Sequence, residues 1–423
     1  MTGDEDVLTA ALAEFVKVFD DVCDTIPSNL GSAGILSRVL NGQASTEVRR
    51  LVPLDERRRL GAFFTPHELA DKLADPLRRV RSQVTVLDPC CGAGDLLLAA
   101  ARALEDPVRR GNVSAELAGV EIVDEFSRVA LMRFELLLRT LELNVAGRFS
   151  VADGLTARDL DKATHLLLNP PFAAVTSDES CRWAGGKVNG AADFLARTVV
   201  RLQGGVEVHA ILPDVLRSGS RYRRWRNFIA ERLDLDTPEP TGRFDPWTDI
   251  DVFILRGLTR DVTTGAPPHE WGPSTAGSTV GDRFDVSVGP LVDYRSPLDG
   301  PHVPYLVAKG FPVWGTITAV ERTRRFSGRL HQGPIVVIPR TSRPGDPYRA
   351  RAAVVADPRG IAVENHLLVL RPKHGGLAEC RRLLRQLRSE QVNDWLDQVI
   401  RCRHLTVSAV GSIPWSPDRD RVR

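Results

Sequence analysis

The sequence predicts an α/β fold: a doubly wound, mostly parallel sheet, with helices before it and a smaller α+β domain after it. Three observations lead there. From residue 61 to about 256, short apolar runs alternate with segments of helical period. At 258–282 the chain turns rich in Gly, Pro, Ser and Thr. Beyond that stretch it changes to short β-rich runs followed by a helical segment. Alternating strands and helices build parallel crossovers with helices on both faces of one sheet. A Gly/Pro-rich interruption reads as a linker. The expected organisation is therefore an N-terminal helical segment (1–60), an α/β domain (61–257), a linker (258–282) and a second domain (283–423).

Each element has its own signal. Segment 7–19, VLTAALAEFVKVF, spaces its apolar residues as a helix does, and 46–60 is charged and helical in character. A turn-rich stretch around Pro27 to Gly34 separates them. Buried strands are expected at 84–88, 116–122, 148–153, 165–169, 206–212 and 251–257. Helices are expected between them at 95–105, 124–141, 191–203 and 220–232. In the second domain, 334–340, 352–357 and 365–372 read as strands and 377–400 as one helix.

Length and composition bound the function. A chain of 423 residues with 43% hydrophobic and 26% charged residues suits two or three soluble domains with ample core. No run of 18 apolar residues suggests a spanning helix, and the acidic start MTGDEDVLTA does not look like an export signal. Six scattered cysteines form no CxxC pair or His/Cys cluster, so neither a metal site nor a disulfide framework is expected. These features suit a cytoplasmic protein. The net charge of +2 hides an asymmetry. Residues 301–423 hold 21 Lys and Arg against 10 Asp and Glu, a net +11, and the remaining 300 residues carry −9. A basic C-terminal third suits a polyanionic partner. The same numbers also arise where Arg merely decorates solvated faces.

Two motifs carry chemistry. In VLDPCCGAGDLLLAAARAL (86–104) a strand meets a tight turn and an Ala/Leu helix. Gly92 and Gly94 let backbone approach a ligand at the helix N-terminus. Asp88 ends the first strand, Glu121 the second, and Asp153-Gly154 the third. An acid after the second strand can take both hydroxyls of a ribose, and Asp153 is placed to accept from an adenine amino group. Three acids at the ends of successive strands are more than turn caps. The second motif is LLLNPPF (166–172), where a buried strand runs into Asn169, Pro170, Pro171 and Phe172. Two prolines stiffen the loop. The Asn169 amide oxygen and the Pro170 carbonyl are both acceptors. Together they can take the two N–H protons of a substrate amino group and aim its lone pair at an electrophile. Aromatic amines are poor nucleophiles, so orientation is what a protein must supply. Phe172 can stack on a flat substrate.

With these residues in place, the sequence resembles the adenine-N6 DNA methyltransferases of the gamma arrangement, in which cofactor motifs precede the catalytic motif and a target-recognition domain comes last. The resemblance implies a class I methyltransferase sheet, S-adenosylmethionine as cofactor and double-stranded DNA as substrate. GAFFTP (61–66) resembles the family's first motif, which implies that Phe64, Thr65 and Pro66 lie against the cofactor. DPCCGAG (88–94), Glu121 and Asp153 resemble the cofactor motifs, and NPPF resembles the catalytic one. Cys90-Cys91 departs from the commoner single cysteine. GRFDPWTDIDVFIL (242–255) resembles the motif that places an aromatic residue, here Phe244, against a flipped base. The segments 364–373, 393–400 and 404–415 look like the close of a target-recognition domain.

The resemblance further implies methylation of an adenine flipped between Phe172 and Phe244, without a metal. The setting is a restriction–modification or related defence system, and a cognate endonuclease would be a separate chain. Arg322, Arg324 and Arg325 are candidate phosphate contacts. Other readings stay open. The N-terminal helices with GAFFTP also resemble modification subunits that need a separate specificity chain. NPP-aromatic loops also serve enzymes that methylate RNA bases or protein glutamine. A nucleic-acid-binding protein on an inactive methyltransferase fold is a third class, against which the intact Asn169 and acids speak.

Overall fold

The computed structural model describes residues 2–25, 33–111, 113–177, 181–261, 269–310 and 312–416. Most of the turn expected at 27–34, residues 262–268 of the expected linker and the last seven residues of the second domain lie outside the described residues. The chain separates into two compact units. The first comprises 1–216 with 223–269, and the second 217–222 with 270–423.

The first unit opens with α1 (Thr2–Thr25), α2 (Ala33–Leu40), α3 (Gln43–Leu51) and α4 (Leu54–Leu60). The single charged helix expected over 46–60 is two helices. Pro53 follows Val52, whose backbone is extended, as proline demands of the residue before it. The helices bury Leu12, Phe15, Phe19 and Val48 in the same core as the sheet. After α5 (His67–Ala74) come β1 (Val84–Asp88), α6 (Asp95–Arg109), β2 (Ala115–Glu121), α7 (Asp124–Thr140), β3 (Ala146–Val151) and β4 (His165–Leu168). Then follow a hairpin, β5 (Ala174–Thr176) with β6 (Lys187–Asn189), and α8 (Gly190–Arg201), β7 (Glu207–Pro213), α9 (Asp214–Ser218) and α10 (Arg223–Ala230). The unit closes with β8 (Leu233–Leu235), β9 (Glu239–Arg243) and β10 (Asp251–Thr259).

The sheet runs β3-β2-β1-β4-β7-β10-β8, with β9 on the first half of β10. The first five strands are parallel and β10 is antiparallel to β7 and β8. The predicted doubly wound, mostly parallel sheet is the observed one. Its order reverses between β1 and β4, so the carboxyl ends of β1, β2, β3 and β4 open onto one crevice, where such sheets bind ligands. The run at 148–153, expected as a buried strand, is instead the sheet edge. β3 has a neighbour on one side only, and none of its residues is buried.

The second unit holds a five-stranded sheet, β11-β19-β16-β17-β13, and a four-stranded one, β14-β12-β18-β15. Its strands are β11 (Phe284–Val288), β12 (His302–Leu306), β13 (Thr316–Ile317), β14 (Thr323–Arg325), β15 (His331–Gln332), β16 (Ile335–Pro339), β17 (Ala353–Val355), β18 (Gly360–Val363) and β19 (Leu367–Pro372). The short helix α11 (Val280–Arg283) precedes them; α12 (Gly376–Gln386), α13 (Glu390–Val399) and α14 (Val407–Gly411) follow. The helix expected over 377–400 is broken in two, because Ser389 turns extended and starts α13 as its N-cap residue. The end of the expected linker is structured: Thr279 and Asp282 form a capping box on α11, and Val280 is fully buried.

Candidate active site

The turn after β1 is built by two glycines that no other residue replaces freely. Gly92 (φ +53°) and Gly94 (φ +86°) sit in the left-handed region, and Gly94 is the N-cap residue of α6. A side chain on Gly92 would meet the Phe64 ring at 3.0 Å. Gly154 is fixed by a different contact, since a Cβ there would lie 1.7 Å from the Pro89 carbonyl oxygen. The turns after β1 and β3 are therefore packed backbone to backbone.

Around these turns a cleft of about 360 Å³ is lined by Phe64, Thr65, Asp88, Gly92, Glu121, Asp153, Asn169 and Pro171, among others. Eight of the residues singled out in the sequence thus come together, although Phe64 and Pro171 are 107 residues apart in the chain. Pro66, Gly94, Pro170, Phe172 and Phe244 do not line it. Pro66 instead starts α5, and Gly94 shapes the turn from behind.

The three acids differ in what they offer. Asp88 is 1% exposed, and one of its oxygens accepts from the Cys90 N–H at 3.1 Å. Burial, with Glu121 nearby, pushes its carboxyl up to about 8. Glu121 accepts from the Gly92 N–H at 2.9 Å through one oxygen, and from the Ile122 and Val123 N–H groups through the other. Burial raises its pKa as well. Asp153 is exposed and holds its own turn through the Leu155 N–H at 2.9 Å. Among the described residues, no Lys, Arg or His forms an ion pair with any of the three. A cleft with three carboxylates at strand ends and a glycine turn fits a ligand rich in N–H and O–H donors that carries positive charge. Among the described residues, no group of three or more His, Cys, Asp or Glu is placed to hold a metal ion.

The loop Asn169–Phe172 is anchored at both ends. The Asn169 amide nitrogen donates to the Phe63 carbonyl at 3.2 Å and to Thr65 Oγ1 at 2.9 Å. Its amide oxygen, and the Pro170 carbonyl, accept no hydrogen bond from the described residues. Gly61 (φ +68°) lies directly under Pro171, where a Cβ would come within 2.8 Å. Asn189 donates to the Phe172 carbonyl at 3.0 Å and accepts from Ala191 as the cap of α8. The Phe172 and Phe244 rings meet edge to face, 5.8 Å between centroids. A base stacked between them requires one ring to move aside. Cys90 lies in the cleft beside the Asn169 backbone, and burial pushes its thiol up, so it stays protonated.

In the second unit the three candidate arginines are not alike. The Arg324 side chain is 11% exposed, with Asp293 as its ion-pair partner and the Asp293 and Ser296 carbonyls as acceptors of its terminal nitrogens, while its buried Nε has no hydrogen-bond partner among the described residues. Arg322 is exposed and lies over the Tyr305 ring. Arg325 is exposed and donates to the Gly300 carbonyl at 3.1 Å.

Residues 54–194 match the family model described as N-6 DNA Methylase. That segment of the chain is similar to the N-6 DNA methylases. M.VspI, a type II methyltransferase from Vibrio sp. (strain 343), is 30% identical over 112 residues, 26% of this chain and 25% of its own. M.BsuBI, a type II methyltransferase from Bacillus subtilis, is 26% identical over 204 residues, 43% of this chain and 39% of its own. The chain thus spans well under half the length of the curated relatives it matches. The solved methyltransferase subunit of a type I restriction-modification system from Streptococcus thermophilus aligns over 52% of this chain and 53% of its own, at 20% identity and a TM-score of 0.38.

Some site residues had no place in the sequence reading. Phe63 contributes a backbone carbonyl, which leaves no side-chain signal. Asn189 did leave one, since an Asn just before a helical pattern reads as an N-cap. Arg133 is fully buried behind the glycine turn, where its guanidinium meets the Ala93 carbonyl and Asp95.

Proposed function

We propose that this chain transfers a methyl group from S-adenosylmethionine to the N6 of an adenine in double-stranded DNA, as the modification enzyme of a restriction–modification or related system. One observation carries the reading. The Asn169 amide nitrogen is spent on Phe63 and Thr65, so its oxygen is the free acceptor in a cleft that also holds Asp88, Glu121 and Asp153.

The chain's own groups divide the work. Glu121 would take the ribose hydroxyls, Asp153 the adenine edge, and Asp88 with the Gly92 turn the remaining polar groups of the cofactor. When bound, S-adenosylmethionine supplies an electrophilic methyl on its sulfonium. Asn169 Oδ1 and the Pro170 carbonyl would accept hydrogen bonds from the two N6–H groups and aim the nitrogen lone pair, and one of these protons would leave to solvent once N6 is alkylated. Phe172 and Phe244 would hold the extruded base, since its amino nitrogen cannot be reached inside a duplex. Residues 283–423 would bind DNA, with Arg322 and Arg325 as phosphate contacts and Arg324 as their structural support.

The test is methylation by the purified chain. Mass spectrometry of digested duplex DNA should find N6-methyladenine, with none from the Asn169→Ala variant. Methylation only after a second chain is added would favour a modification subunit with separate specificity. Methylated RNA or glutamine in place of DNA would sink the proposal.

Two further outcomes are expected. The raised carboxyl of Asp88 is largely protonated below pH 8 in the free protein. A cationic cofactor favours the ionised form, so binding releases a proton. Affinity should rise with pH, by up to about tenfold per unit, and level off above the Asp88 pKa. Asp88→Asn should flatten that slope, as calorimetry at several pH values would read. The same shift means that the ligand-free fold loses stability as pH rises from the ordinary carboxyl range toward 8. Separately, Arg322→Ala with Arg325→Ala should weaken all DNA sequences alike. The slope of log affinity against log salt should fall by about one per lost phosphate contact.

A further inference from the structure

The segment Gly61–Pro66 touches both halves of the site. Phe64 rests on Gly92, Gly61 lies under Pro171, and Pro66 starts α5. Thr65 lies between these fixed points and is 5% exposed. Its hydroxyl oxygen accepts from the Asn169 amide nitrogen at 2.9 Å, across 104 residues of sequence. The direction of that bond is settled by its companion. The Phe63 carbonyl, 3.2 Å from the same nitrogen, can only accept. The Asn169 amide must therefore present its nitrogen to both partners, and each of its two N–H bonds has one acceptor. No freedom remains for the amide to flip.

We propose that Thr65 is a positioning residue for the catalytic amide, acting through Asn169. The inference rests on the methyltransferase reading of the site. It extends that reading by giving the first motif of the catalytic unit a part in orienting the substrate amino group. The Phe63 carbonyl alone fixes one N–H and leaves the amide free to pivot about it. With Thr65 as the second point, the amide plane is set and Oδ1 faces the cleft. An acceptor that swings by an ångström no longer holds the N6 proton when the lone pair must point at the methyl.

Thr65→Val keeps the shape and removes the acceptor; Thr65→Ser keeps the acceptor and removes a methyl. Thr65→Val should lower kcat about 10- to 100-fold, with KM for DNA and calorimetric affinity for S-adenosylmethionine within about threefold of the parent. Thr65→Ser should recover most of the rate. Equal impairment in both variants, or an unchanged kcat in Thr65→Val, would overturn the proposal. So would a Thr65→Val variant that loses cofactor affinity but regains full rate at saturating cofactor, because that is the behaviour of a ligand. A second readout needs no activity. In protein labelled with 15N-asparagine, the Asn169 side-chain NH2 pair should exchange slowly with water, and faster in Thr65→Val. Identical exchange overturns the proposal. If the parent chain methylates no DNA, the methyltransferase reading fails while the exchange comparison still decides whether Thr65 holds the amide.

Discussion

Asn169→Ala is expected to lower methyl transfer at least about 100- to 1,000-fold, the scale for losing one preorganised group at the reacting centre. The variant should still bind cofactor and DNA. The physical case is local. Asn169 is half-buried, its nitrogen is held by Phe63 and Thr65, and its oxygen alone is left for a ligand. Alanine removes the acceptor and leaves the loop in place. Pro171 still rests on Gly61, and Phe172 is still tied through its carbonyl to Asn189. The Pro170 carbonyl would remain, so a substrate amino group would keep one acceptor and lose its fixed orientation. Single-turnover rates with bound cofactor and DNA isolate this step. A rate within tenfold of the parent would remove Asn169 from the chemistry and leave the loop as a structural turn. Asn169→Asp is the sharper companion, because a carboxylate cannot donate to Phe63 and Thr65 and must turn away from them. It should be as impaired as alanine although it carries more acceptors.

The sequence was legible where one residue's chemistry and the chain's period point the same way. The strands at 84–88, 165–169 and 251–257 lie where their apolar runs place them, because a central strand buried on both faces must be apolar throughout. Asp88, Glu121 and Asn169 were legible because each ends such a strand and all three line one cleft. The edge strand at 146–151 was misread as buried, because an apolar run does not say whether a neighbour covers both sides. The long helices at 46–60 and 377–400 broke at Pro53 and Ser389, residues whose local chemistry outweighs an otherwise helical period. The hairpin at 174–189 was not seen at all. Its strands are three residues each, and β5 is exposed throughout. The arginines at 322, 324 and 325 could not be ranked from sequence, since what separates them is the ion pair between Arg324 and Asp293, 31 residues apart.

Arg133→Met is expected to cost about 3–5 kcal/mol of stability, the scale for removing one partner of a buried ion pair. Helix α7 places Phe126, Val129, Ala130, Arg133, Phe134 and Leu137 on one buried stripe, so Arg133 stands where the period calls for an apolar residue. It is fully buried and uses its whole fork. One nitrogen meets Val39 O at 2.9 Å, and a second meets Ala93 O. The third meets Leu40 O at 3.2 Å and Asp95 Oδ1 at 2.8 Å. Val39 and Leu40 are the last residues of α2, whose unpaired carbonyls favour a cation. Ala93 and Asp95 flank Gly94 at the start of α6. One side chain therefore ties the N-terminal helices to the Gly92–Gly94 turn. Methionine fills the space but leaves Asp95 without its cation and three carbonyls without donors. Lysine fails for another reason, since a point charge cannot reach acceptors spread around a planar fork. Urea unfolding should show the loss, and Arg133→Met with Asp95→Leu should recover part of it by removing the stranded carboxylate. A drop below about 1 kcal/mol in the single variant would mean that water or a shifted α2 satisfies these groups. Because the turn at Gly92–Gly94 rests on this contact, the folded fraction of Arg133→Met should also bind S-adenosylmethionine more weakly, while Arg322→Ala leaves that binding unchanged.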